Sequence, residues 1–187
     1  MVDFAAARLN MVDSQVRTQD VTDVRLHDAM GSIPREDFVP SDKRFLAYAD
    51  LEVEYAPGRW LLKPRDVSKL LQALRPMPGE RALAISAPYA AAVMETLGVT
   101  VVSAEAGQPL PTGGFDIVVC EGAVGGAPDT WIAAIALNGR LGVVERDGPV
   151  GKVCLYGRTA SGVGRRELFD CFSPVLAGFE RQHGFAL

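Results

Sequence analysis

Histidine and cysteine are scarce in this chain. The only histidines are His27 and His183, and the three cysteines are Cys120, Cys154 and Cys171. So few histidines argue against a histidine-based metal site. Nothing near His27 in sequence would orient it as a catalyst, so it reads as a histidine at the edge of the core. The cysteines are odd in number and widely spaced, and two lie inside apolar runs. They exclude a disulfide frame or zinc site and read as buried free thiols in a reducing, cytoplasmic compartment. Basic runs are absent, since Arg165-Arg166 is only a pair, and the formal charge is −4. That leaves no electrostatic footprint for nucleic acid. No apolar stretch approaches the roughly 18 residues of a membrane span. The start, Met1-Val2-Asp3-Phe4, lacks the basic and apolar regions of a secretory signal.

Against these absences stand a hydrophobic content of 48% and a mean hydropathy of +0.12. They indicate a substantial core and little disorder. The length suits one compact unit, read as a helical cap over 1–64 and an α/β domain over 65–187. The chain is organised around Pro78 to Gly98. Ala82 to Ile85 is a short apolar run between turn signals and suits a buried strand. Ser86 is a candidate helix N-cap, Pro88 suits the first turn, and Gly98 ends the helix. A second apolar run, Val99 to Ala104, ends in Glu105. Strand, helix, strand and acid make the first half of a nucleotide-binding α/β unit. The turn between strand and helix, Ser86-Ala87-Pro88, has no glycine, and its proline removes a donor. Glycines there normally let backbone N–H groups approach a ligand.

Before this unit, Ala5, Leu9, Val12 and Val16 recur at helical spacing. Thr22 and Asp23 can cap a second helix carrying Val24, His27 and Met30, closed by Gly31. Pro34 to Pro40 is a loop anchored by Phe38 and Val39, and 42–49 forms a helical turn or two. A strand-like run lies within Glu52 to Leu62, broken by Pro57-Gly58. Val67, Leu70, Leu71 and Leu74 then form the cleanest amphipathic stripe. Beyond Glu105, Ala106 to Gly114 is too short for a crossover helix, which needs about ten to twelve residues. The sheet is therefore shortened by one βα unit. Phe115 to Cys120 is a buried strand with Glu121 at its carboxyl end. A helix follows, bearing Trp131, Ile132 and Ile135 and closed by Asn138-Gly139. Arg140 to Glu145 is a strand, and Lys152–Thr159 with Arg166–Val175 form a terminal antiparallel hairpin.

Several segments resemble the protein-L-isoaspartate (D-aspartate) O-methyltransferase family. They are Met11-Val12-Asp13-Ser14-Gln15-Val16-Arg17, Val21 to Met30, Pro34-Arg35-Glu36-Asp37-Phe38-Val39-Pro40 (the family's P-R-x-x-F-V-P), Tyr48-Ala49-Asp50, Phe115-Asp116-Ile117-Val118-Val119 and Leu137-Asn138-Gly139-Arg140-Leu141. The resemblance implies a Rossmann-like, S-adenosylmethionine-dependent methyltransferase sheet with an N-terminal helical cap and a final hairpin. It implies methyl transfer from S-adenosylmethionine to isoaspartyl carboxylates of proteins or peptides. It places Ser86, Ala87, Tyr89, Glu105 and Glu121 around the cofactor, with Glu105 on its ribose, and Trp60, Leu62 and Lys63 beside the substrate.

This chain departs from the family pattern where the chemistry lies. Aligning Tyr89 with the family tyrosine leaves Ser86-Ala87-Pro88 in place of G-T-G-S-G. Ala84 replaces the acid of the first strand. Trp60-Leu61-Leu62-Lys63-Pro64 aligns with T-I-S-x-P, so Leu62 stands at the substrate serine. The third strand and its adenine loop are missing. Losing about three ligand hydrogen bonds, at roughly 1 kcal/mol each, weakens cofactor binding on the order of a hundredfold. Methyl transfer is therefore expected to be weak or lost, and no catalytic residue is assigned. The alternative is a non-catalytic binding or assembly module on the same fold.

Ser86, Glu105, Glu121 and Glu145 are expected near the carboxyl edge of the sheet, where ligands of such folds sit. Two readings of these acids stand: a small acidic crevice, or solvated loop carboxylates at 121 and 145. Lys63 and Arg65 read either as a solvated helix start or as contacts to an anion, since cations oppose the dipole there. Trp60 reads as core before platform. The shortened sheet leaves an edge that a second copy of the chain could cover.

Overall fold

The amphipathic stripe forms as expected. In the computed structural model, which describes residues 3–181, α3 (Pro64–Leu74) buries Val67, Leu70, Leu71 and Leu74 completely. Pro64 opens it, where a missing N–H costs nothing, and Arg75 closes it in the left-handed conformation. This helix packs on the strand β6 (Ile135–Arg146), where Gly142 lies directly beneath Leu70 and Leu74.

Before α3 come α1 (Phe4–Met11), a π-type turn over Val12–Val16, α2 (Val24–Ser32) and two short 3-10 segments, Arg35–Phe38 and Ser41–Leu46. Asp23 caps α2 by accepting from the Arg25 N–H. A two-stranded hairpin, β1 (Val53–Ala56) and β2 (Arg59–Leu61), turns at Pro57-Gly58. The remaining elements are β3 (Arg81–Ile85), α4 (Pro88–Thr96), β4 (Thr100–Ala104), β5 (Phe115–Val124), α5 (Asp129–Ala133), β7 (Gly151–Thr159) and β8 (Gly162–Cys171).

The main sheet has six strands in the order β4-β3-β5-β6-β7-β8. The first four are parallel neighbours, and the β6–β7 and β7–β8 pairs are antiparallel. Ala106 to Gly114 contains no helix and no strand, so the sheet is short by one βα unit, as its length requires. One apolar layer joins the N-terminal helices, α3 and α4 to one face. The other face is covered by Trp131 and Leu176. The three cysteines are buried free thiols, and burial pushes Cys154 and Cys171 up to about 12. His27 lies at the core edge with its Nε2 2.8 Å from the Val21 carbonyl oxygen. His183 lies outside the described residues.

Several local expectations need correction. Ala5 and Leu9 face solvent, and α1 packs through Phe4, Ala7 and Met11 instead. Gly31 sits within α2, which ends one residue later at Ser32. The helix after Pro128 is short, because Ile135 already pairs with Phe115 in the sheet. Asn138-Gly139 makes a bulge at the start of β6, not a helix cap. Asn138 has φ +64, and a Cβ at Gly139 would lie 2.7 Å from the Phe115 carbonyl oxygen. The second strand of the terminal hairpin begins at Gly162, because the turn needs only Ala160 and Ser161. Strand β5 also continues past Cys120 to Val124 through a second bulge, and that extension shapes the candidate site.

Candidate functional site

In a parallel sheet a ligand sits beyond the carboxyl ends of the strands, where neighbouring connections leave in opposite directions. Here that point lies between the ends of β3 and β5. Ile85, the last residue of β3, pairs with Cys120, and the chain then turns at Ser86 into α4. Ser86 carries a left-handed φ of +43 and is not the N-cap, a position held by Ala87 with no side-chain bond. The Ser86 hydroxyl instead donates to Glu105 Oε2 at 2.7 Å and accepts from the Ala106 N–H at 2.9 Å. It clasps the end of β4 to the end of β3.

The helix N-terminus also finds its acceptor inside the protein. The carboxylate of Glu121, 0% exposed, accepts from the Ala90 N–H at 2.8 Å and the Leu62 N–H at 3.0 Å. Glu121 is therefore neither a solvated loop acid nor part of an open crevice. The β5 bulge lodges it beneath α4, where an anion is favoured by the helix dipole. Burial pushes its carboxyl upward from the ordinary glutamate range, and the buried Arg35 and the amides pull it part of the way back. Arg35 is itself fully buried, donates to the carbonyls of Ala47 and Leu62, and lies 4.5 Å from the centre of the Tyr89 ring.

Tyr89 turns inward to Arg35 and Phe38 and is wholly buried, so it does not line the crevice. Glu105 remains at the crevice rim with its side chain 60% exposed, and Arg59 Nε lies 3.6 Å from it. Arg59 also donates to the Ala106 carbonyl at 2.8 Å.

The expected substrate side is likewise satisfied from within. Leu62 is buried, and Trp60 packs half-buried on the second core layer. Lys63 pairs with Glu52 at 3.8 Å, and Arg65 lies 3.6 Å from Asp50 and 3.4 Å from Asp66. Neither cation is a solvated helix start. Glu145 accepts from the Tyr156 hydroxyl, from the Ala127 N–H at 2.9 Å and from Arg165 at 2.7 Å. Burial pulls Glu145 upward, but these three donors together hold it below the usual range.

Two features of the site had no reading in the sequence. Arg35 lies in the segment Pro34 to Pro40, but only the fold shows that it is buried against Tyr89. Arg59, beside the Pro57-Gly58 turn, had no local signal that it reaches Glu105.

The parallel strands, the acid after β4 and the terminal antiparallel meander define a Rossmann-like methyltransferase class of α/β protein. The profile described as "Protein-L-isoaspartate(D-aspartate) O-methyltransferase (PCMT)" matches residues 7–111. A protein-L-isoaspartate O-methyltransferase of Methylorubrum populi is 31% identical over 207 residues, covering 92% of this chain and 96% of that one. One from Roseiflexus castenholzii is 30% identical, covering 95% of each chain. The chain therefore belongs to the protein-L-isoaspartate (D-aspartate) O-methyltransferase family, whose members transfer a methyl group from S-adenosylmethionine to isoaspartyl carboxylates. The fold agrees with a crystal structure of a proposed protein-L-isoaspartate O-methyltransferase from Plasmodium falciparum in complex with S-adenosyl-L-homocysteine. The TM-score is 0.72 at 15% identity, with 90% of this chain and 97% of that one covered.

The residues present do not fit the family's methyl donor in this conformation. Pro88 has no N–H, the Ala90 amide is bound to Glu121, and Ser86 and Arg59 are engaged with Glu105 and its neighbour. The chain's own C-terminal segment lies along the free edge of β5 beyond Cys120. The Ala123 N–H donates to the Pro174 carbonyl at 2.9 Å and the Leu176 N–H to the Ala123 carbonyl at 2.7 Å.

Proposed function

We propose that this chain is a divergent protein-L-isoaspartate O-methyltransferase in which transfer from S-adenosylmethionine to isoaspartyl protein or peptide is weak or lost. The observation that supports this reading is the internal carboxylate of Glu121 on the Ala90 amide, at the helix terminus where a ligand would need donors. Methyl transfer depends on holding donor and carboxylate in line, so a poorly held donor lowers the rate as well as the affinity. Isothermal titration with S-adenosylhomocysteine, followed by radiolabel transfer to an isoaspartyl peptide, tests the proposal. A flat titration at millimolar ligand with background transfer is expected. Micromolar binding with transfer would overturn it. A non-catalytic binding module is the second reading, favoured by the ion pairing of Lys63 and Arg65 with Glu52, Asp50 and Asp66. It predicts the same flat titration, and it fails if any specific transfer to the peptide is measured.

A further inference from the structure

We propose that residues 174–181 form an autoinhibitory strap, a built-in occupant of the methyl-donor crevice that competes with a nucleoside-thioether ligand. The inference rests on placing the donor site between the ends of β3 and β5. Among the described residues, no strand lies beside β5 on its β3 side beyond Ile85 and Cys120, and the strap takes that place. Val175 bridges to Ala123 as a parallel strand would, and the Gly125 N–H donates to the Phe179 carbonyl at 2.6 Å.

Leu176 is completely buried in the apolar layer that contains Ile85, Ala106 and Val124. The strap then crosses toward the rim acid. A Cβ at Gly107, two residues after Glu105, would stand 4.0 Å from the Phe179 ring, which also packs on Trp131 with centroids 5.4 Å apart. Strap and ligand thus require the same space.

The surroundings are shaped to the strap. A Cβ at Gly122 would lie 2.5 Å from Leu176 Cδ2, one at Gly58 would lie 2.8 Å from Ala177 Cβ, and one at Gly125 would lie 2.3 Å from the Arg181 nitrogen. Yet the strap follows the last sheet strand and is held by a few backbone bonds and three apolar side chains, Val175, Leu176 and Phe179, of which only Leu176 is fully buried, with Arg181 and Asp147 forming an exposed ion pair. Segments of this kind open locally without global unfolding. A ligand that needs the open state binds with an affinity reduced by the open fraction.

The test uses the full-length chain with Leu176→Ala and, separately, Phe179→Ala. Each is titrated with S-adenosylhomocysteine, while hydrogen exchange follows the Ala123 and Gly125 amides and circular dichroism checks the fold. Faster exchange at both amides is expected in the variants. Their binding should be about tenfold or more tighter than the wild-type value or limit, as relief of a closed population predicts.

Folded variants that exchange faster but bind no better would overturn the strap as a competitor while leaving the weak-binding proposal intact. Unfolding of either variant would overturn it too, by making the strap an indispensable part of the core. Micromolar binding by the wild type would refute the weak-binding proposal. The strap would fail with it if both amides stayed protected in the complex, and would stand if they lost protection.

Discussion

Glu121 and Arg35 are the fully buried charged side chains among the described residues, and neither has the solvation of a surface charge, so each carries a desolvation cost. Glu121 recovers part of its cost from two amides, whereas Arg35 Nη1 has no hydrogen-bond partner among the described residues. The raised Glu121 carboxyl gives a testable pH dependence. Between the ordinary glutamate value and its raised value, the folded state binds more protons than the unfolded state. Stability therefore falls as pH rises through that window. Glu121→Gln removes this contribution, so the difference in urea unfolding free energy between variant and wild type should grow in favour of the variant with rising pH. An unchanged difference from pH 4 to pH 8, about the range spanned by ordinary and buried carboxyls, would contradict this burial. Glu145 has the opposite sign. Its depressed value stabilises the fold above the ordinary range, and that contribution is lost as pH falls through the lowered value.

At the level of elements, the α3–β6 contact shows how closely the helix layer lies on the sheet. A Cβ at Gly142 would come within 2.5 Å of Leu70 Cδ1 and 3.1 Å of Leu74 Cδ1. Gly142→Ala should therefore cost about 1–3 kcal/mol through overpacking, measured as a lower urea midpoint with an unchanged slope. Gly157, in β7 of the same sheet, has open space where a Cβ would point and serves as the control. Elements with strong local signals were legible in the sequence: the α3 stripe, β3, β4 and the turn at Pro57-Gly58. Elements whose ends depend on a neighbour were not. Ile135 reads as helical beside Trp131 and Ile132, but its pairing with Phe115 draws it into the sheet. Ser86 has the chemistry of an N-cap, yet Glu105 and Ala106 offer its hydroxyl two partners from the next strand.

For the whole molecule, the question is whether the crevice responds to ligand. A micromolar site saturated with millimolar ligand would add about 4 kcal/mol of apparent stability by mass action. With the crevice filled from within, 1–5 mM S-adenosylhomocysteine, of the order that saturates such a site, should leave the wild-type Tm unchanged in differential scanning calorimetry. An upward, concentration-dependent Tm would show that the crevice admits the ligand.

The sequence alone determined the α/β order, the missing βα unit and the family, and it put Ser86 and Glu105 together at the sheet edge, because turns, periodicity and motifs are local in the chain. Only the tertiary structure decided what those residues do there. Glu121 turned out to serve Leu62 and Ala90, Arg59 to reach Glu105, and Leu176 to lie beside Ala123. Those partners are distant in sequence, and a polar group is satisfied by whatever the folded chain brings within reach, so no local pattern announces which partner it takes.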